Sequence, residues 1–195
     1  MAVNPSYRQR QSAETRTRVA VAARKVFAER GYSAATIADV AEAAGVAVPT
    51  VYKLYGNKRA LLTEVSNRWA RGYVPNDTIP REPAKAIAWW ARIARRQWET
   101  GLDIAMTYAG AVASEADVRK ELQPRLAARD EMIRSVCEVL AQSASGTFST
   151  SDAIALVSAI TLPEVYRELV RDRGWTPRRY QEWVERSLVQ QLVVS

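Results

Sequence analysis

Apolar residues recur every three to four positions along almost the whole chain, and no segment alternates with period two. A helix brings residues i, i+3, i+4 and i+7 to one face, whereas a half-buried strand needs every second side chain apolar. The pattern predicts an all-α fold. From about Ala13 to Arg30 the inward stripe is Val19, Ala22, Ala23, Val26 and Phe27, and Gly31 supplies the stop. Thr36-Ile37-Ala38-Asp39 has the form of a capping box. It opens a second helix with Ile37, Val40, Ala41 and Ala44 inward, ended by Gly45. A third, short helix starts near Ala47 or Val48, with Pro49 in its first turn, where a missing N–H costs nothing. Asn57 is placed to cap a fourth helix carrying Leu61, Leu62, Val65 and Trp69.

Residues 1–12 are polar, bear arginines and lack periodicity, so they read as a flexible basic arm. Residues 74–83 (VPNDTIPREP) hold three prolines and read as a linker or loop. Further helices are expected over 84–100, with Ile87, Trp90, Ala91, Ala94 and Trp98 on one stripe, and over 103–113, with Ile104, Met106, Tyr108 and Val112. Pro124 is expected to separate a brief turn from a longer helix reaching Leu140. After the loop SASGTFSTS (143–151), Ser149 caps a helix that runs towards Arg171 with a bend at Pro163. Thr176-Pro177 starts the last helix.

The chain has 195 residues, room for one sizeable core or a small module joined to a larger one. It contains no histidine, which removes the commonest general base near neutral pH and the commonest zinc ligand. Triads of the Ser-His-Asp or Cys-His kind cannot be built, and no GxxxxGK[ST], GxGxxG or GxSxG occurs. No catalytic residue, cofactor or metal site is expected, and the chain reads as a non-enzyme. No run approaches the roughly 18 apolar residues of a membrane span. The arginines near the N-terminus have no apolar stretch behind them, unlike a secretory signal. Cys137 is the only cysteine, which fits a reducing, cytoplasmic location.

The net charge is +7. Residues 1–60 carry ten Lys or Arg against four Asp or Glu, so nearly all the imbalance sits in the first third. That third would attract a polyanion, nucleic acid or anionic membrane alike.

Two short helices joined at a glycine, behind a longer one, form a helix-turn-helix arrangement. The N-terminal end of the third helix is narrow enough for a major groove about 12 Å wide. Short side chains at Ala47, Val48 and Pro49 allow close approach, with valine or proline against a thymine methyl. Thr50 offers a hydroxyl to a base edge or phosphate. Tyr52, Lys53, Tyr55 and Lys58 fall within reach of flanking phosphates, and the N–H groups near Thr36 could hold another. Tyr55 also suits a packing role between the fourth and first helices.

This segment resembles the DNA-binding domain of TetR-family repressors. The shared residues are FAERGY (27–32), T-I-x-x-V-A-x-x-A-G-V (36–46), P-T-V-Y (49–52) and N-K-R-A-L-L (57–62). The tail LPEVYRELVRDRGWTPRRYQEWVERSL is similar to the family too. The resemblance implies that Val48, Pro49, Thr50 and Lys53 face bases, while Thr36, Tyr52 and Lys58 hold the DNA backbone. Two positions depart from the family: Ala47 stands where a capping serine is frequent, and Leu54 where a histidine is.

By the same resemblance, the chain divides into the arm, a DNA-binding helix-turn-helix module over 13–60 and an effector-binding and dimerisation domain over 61–195. It implies a ligand-released repressor of double-stranded, palindromic operator DNA, with no membrane partner. The expected effector is small, apolar or aromatic, in a pocket lined by Trp90, Trp98, Met106 and Tyr108; solid packing of those four residues is the competing expectation. The last two helices are expected to form a homodimer, one bearing Ile154, Val157, Ile160, Val165 and Leu169, the other Tyr180, Trp183, Val184, Leu188 and Leu192 with Val189 and Val193 on another side. The rival function is a DNA-binding factor with no small-molecule effector.

Overall fold

The computed structural model describes residues 7–71, 77–141 and 149–193, and among them the regular structure is helical. Two compact units emerge, one of residues 1–73 with 103–121, the other of residues 74–102 with 122–195. The division is therefore not a single cut near residue 60.

The first unit contains α1 (Tyr7–Arg30), α2 (Ile37–Ala44), α3 (Val48–Tyr55) and α4 (Lys58–Arg71). Its core is the expected stripe, with Val19, Ala23, Phe27, Val40, Val51, Leu61 and Leu62 buried. Asn57 caps α4 by accepting from the Ala60 N–H at 2.8 Å. The expected arm is corrected in part. Residues 1–6 lie outside the described residues, but 7–12 are the opening turns of α1. The sequence hides this because no apolar stripe marks those turns. They are held further along, where Arg68 donates to the Thr17 hydroxyl at 2.7 Å and Tyr55 donates to the Arg16 carbonyl at 2.7 Å.

The two helices expected over 84–100 and 103–113 are one, α5 (Pro83–Ser114). Gly101 lies inside it at a cost of about 1 kcal/mol relative to alanine, outweighed by the buried Trp98 and Leu102 on either side. Likewise α6 (Ala116–Ala141) runs through Pro124. The proline frees the carbonyl of exposed Lys120, which water can satisfy. Residues 103–121 are tied into the first unit by polar contacts. Arg24 grips Asp103 through two hydrogen bonds of 2.6 and 2.7 Å, Tyr32 donates to Glu115 at 3.1 Å, and Arg59 pairs with Glu121 at 2.9 Å.

The second unit adds α7 (Thr150–Ile160), α8 (Pro163–Tyr166), a π-helical segment over Arg167–Asp172, and α9 (Pro177–Leu192). Ser149 caps α7 as expected, whereas the single bent helix towards Arg171 is broken at Thr161 and Leu162. Pro163 forces the preceding residue out of the helical region, and Leu162 is extended at ψ 147°. Of the expected linkers, 77–82 is non-helical, while 74–76 and 143–148 lie outside the described residues. Among the described residues no helix is long and apolar enough to cross a membrane.

Cys137 is 1% exposed, and burial pushes its thiol up to about 11. Since only the thiolate reacts, native protein near pH 8 should resist Ellman's reagent and react fully once unfolded. Rapid labelling of the native chain would contradict this burial.

Candidate nucleic-acid interface

Local chemistry builds the α2–α3 turn. Thr36 accepts from the Asp39 N–H at 3.1 Å, and the Asp39 carboxylate accepts from the Thr36 N–H at 2.8 Å, completing the capping box. Those bonds to Thr36, with Arg30 beside it at 2.8 Å, hold the Asp39 carboxyl below its ordinary range. Gly45 ends α2 at φ 62°, a left-handed conformation that a side chain would strain. The Val46 N–H then bonds back to the Ala41 carbonyl at 3.0 Å, and α3 begins two residues later. Ala47 gives α3 no side-chain cap, the consequence of the missing serine.

Of α3, only Val51 is buried. Ala47, Val48, Pro49, Tyr52 and Lys53 are exposed and Thr50 is half-buried. Val48 is 36% and Tyr52 51% exposed, far more than apolar or aromatic side chains of a packing helix would be. The turn thus brings together six of the eight residues expected at a DNA surface: Ala47, Val48, Pro49, Thr50, Tyr52 and Lys53.

The other two have different work. Lys58 points inward: its ammonium donates to the carbonyls of Tyr32 at 2.8 Å, Ala35 at 3.1 Å and Ser33 at 3.4 Å. It also lies 4.3 Å from the centroid of the Tyr32 ring. All three ammonium hydrogens are committed, so Lys58 ties α4 to the loop before α2 and has no proton left for a phosphate. Thr36 is exposed, but its hydroxyl and its N–H both donate to Asp39. A phosphate there would have to displace a carboxylate, which counts against the expected backbone contact at Thr36.

Tyr55 packs as the alternative reading had it. Its ring lies 5.7 Å from the Arg16 guanidinium carbon, and its hydroxyl bonds the Arg16 carbonyl. Sequence reasoning did not single out Arg16, which stands at the end of α3 through this pair. Its exposure in a charged first third was the available signal.

The expected effector residues do not fall in one unit. Trp90 and Trp98 belong to the second and Met106 and Tyr108 to the first. Trp90 is 1% exposed, and Trp98 is buried with its indole N–H donating to the Thr161 carbonyl at 2.9 Å. Tyr108 is buried and Met106 half-buried. Trp98 is thereby tied to the α7–α8 break and holds it in place.

Residues 20–65 match the family model described as bacterial regulatory proteins, tetR family. No curated protein matches the sequence. Solved structures share the fold. NalD of Pseudomonas aeruginosa, the secondary repressor of the MexAB-OprM multidrug efflux pump, is 19% identical at a TM-score of 0.70, over 95% of this chain and 99% of that one. FadR of Bacillus subtilis, solved with stearoyl-CoA, is 16% identical at a TM-score of 0.70, over 89% and 97%. A linker-substituted HlyIIR mutant is 18% identical at a TM-score of 0.71, over 94% and 98%.

Proposed function

We propose that this chain, whose residues 20–65 match the family model of tetR-type bacterial regulatory proteins, is a repressor that seats α3 in the major groove of operator DNA and leaves when an effector binds. The carrying observation is the outward face of α3, where Val48, Pro49, Tyr52 and Lys53 are exposed around a single buried anchor, Val51. Val48, Pro49 and Thr50 read base edges, Lys53 reaches a base or an adjacent phosphate, and Tyr52 donates its hydroxyl to a phosphate.

A two-fold operator calls for a homodimer, with half-sites about 34–36 Å apart or a multiple of that. Half-buried Ile154, Ile160, Val165, Leu169 and Val189, with exposed Val193, supply apolar surface on the last helices for such an interface. Tyr180, Val184, Leu188 and Leu192 are buried within their own unit and leave no surface for that interface. The effector must bind the DNA-free conformation better, or it shifts nothing. Solved relatives give this reading its precedent, since NalD is a repressor and FadR was solved with stearoyl-CoA.

Footprinting on DNA flanking the protein's own coding region tests the reading, with a protected palindrome as the expected result. Lys53→Ala should weaken binding and flatten the dependence of log affinity on log salt by about 1. Thr50→Ala should instead relax sequence preference at one position per half-site. Equal loss on all duplexes from Thr50→Ala, or no salt effect from Lys53→Ala, would remove α3 from the groove. Operator affinity that no small molecule changes would leave the rival, a DNA-binding factor without an effector.

A further inference from the structure

In the second unit a half-buried cation makes no direct ion pair among the described residues, the charges of Asp130 and Glu164 acting on it only from a distance. Arg129 lies on the core stripe of α6, four residues before buried Ile133 and seven before buried Val136. It makes its hydrogen bonds from one nitrogen, Nη2, to the Thr161 hydroxyl at 3.0 Å, the Thr161 carbonyl at 3.2 Å and the Ser158 carbonyl at 3.4 Å. These acceptors are uncharged, and among the described residues no carboxylate forms an ion pair with it. Among the described residues its Nε and Nη1 hydrogens meet no acceptor. Nearby, Tyr180 is 0% exposed and its hydroxyl has no partner. Burial pushes that phenol up, against the opposing pull of the Arg129 charge.

A half-desolvated guanidinium with spare donors and a buried phenol without a partner are each costly alone. Together they match one complement, an anion with several acceptor lone pairs. A carboxylate suits best, because its two oxygens fit the planar edge of a guanidinium. Arg129 is half-buried, so its guanidinium is partly reachable from solvent along α6, while Tyr180 lies behind it at 0% exposure. Two large apolar residues are exposed on its borders: Leu126, one turn earlier on α6, and Leu162, beside Thr161, each 41% exposed. An acidic head with an apolar body fits that combination.

We propose that Arg129 and Tyr180 bind the carboxylate of a small amphiphilic organic acid, whose apolar body lies against Leu126 and Leu162. The site names the class of effector and in that respect rests on the ligand-released reading above. Trp98 shares the Thr161 carbonyl with Arg129, so the acid adjoins the break between α7 and α8.

Calorimetric titration of the full chain without DNA tests this, using sodium carboxylates from acetate to decanoate, with octan-1-ol and octylamine as controls of matched length. Saturable binding is expected that tightens with chain length, with octanoate at least tenfold tighter than either control. Arg129→Leu should weaken octanoate at least tenfold and Tyr180→Phe several-fold. Should Arg129→Leu not fold, Tyr180→Phe, which removes one oxygen, decides. Overturning results are no carboxylate binding, octan-1-ol binding as tightly as octanoate, or wild-type affinity in the variants. Operator affinity is then compared with and without octanoate. Octanoate that binds through Arg129 without changing operator affinity supports the site and ends the release reading.

Discussion

Lys58→Met is expected to lower the stability of the fold by about 2 kcal/mol, the scale of losing a charged hydrogen-bond partner. It should leave the salt dependence of operator binding unchanged. Methionine keeps the apolar stem, so the variant isolates the ammonium. In the native chain that one group satisfies the carbonyls of Tyr32, Ser33 and Ala35 and stacks on the Tyr32 ring. Removing it leaves the loop that delivers Thr36 to α2 with acceptors only water can serve. Urea unfolding measures the first effect, and operator titrations at several salt concentrations measure the second. A lysine on a phosphate would behave oppositely, flattening the salt slope by about 0.9 with little change in stability. That outcome would show the ammonium turned outward.

Trp98→Ala should be costlier, about 3–5 kcal/mol, the range for truncating a large buried aromatic residue. Trp98 is 5% exposed, and its N–H is one of the bonds holding the carbonyl of Thr161, itself 0% exposed. Trp98→Phe keeps most of the volume and loses only that bond, so about 1 kcal/mol is expected. The two denaturation midpoints together separate packing from hydrogen bonding. A ring lining an open cavity would cost little to truncate, and a small loss in Trp98→Ala would restore that reading.

The parts of the fold legible in advance share a property: their determinants lie within a few residues of one another. The capping box at Thr36 and Asp39, the left-handed Gly45 and Pro49 in the first turn of α3 all act through local backbone geometry. So the α2–turn–α3 unit and its outward face could be read from 36 to 58, and the resemblance to the tetR family from 27 to 62. The break expected between 100 and 103, where Gly101 stands, and the one expected at Pro124 do not form, because a lone glycine or proline is only a weak local signal. A buried flank on each side of Gly101, and solvent beside the carbonyl that Pro124 frees, let α5 and α6 continue. The opening turns of α1 were missed because no apolar stripe marks them.

What the order of residues determined alone was helix content, the caps, and which residues of α3 have nothing to pack against. Where a long polar side chain ends was settled only by tertiary structure. Lys58 turns inward to three carbonyls, the donors of Thr36 go to Asp39, and Arg129 reaches Thr161 across 32 positions. The reason is reach and competition. A flexible lysine or arginine stem spans several ångströms in any direction, and its head goes to whichever acceptors other segments bring near. Spacing along the chain carries no information about those acceptors until the helices have packed.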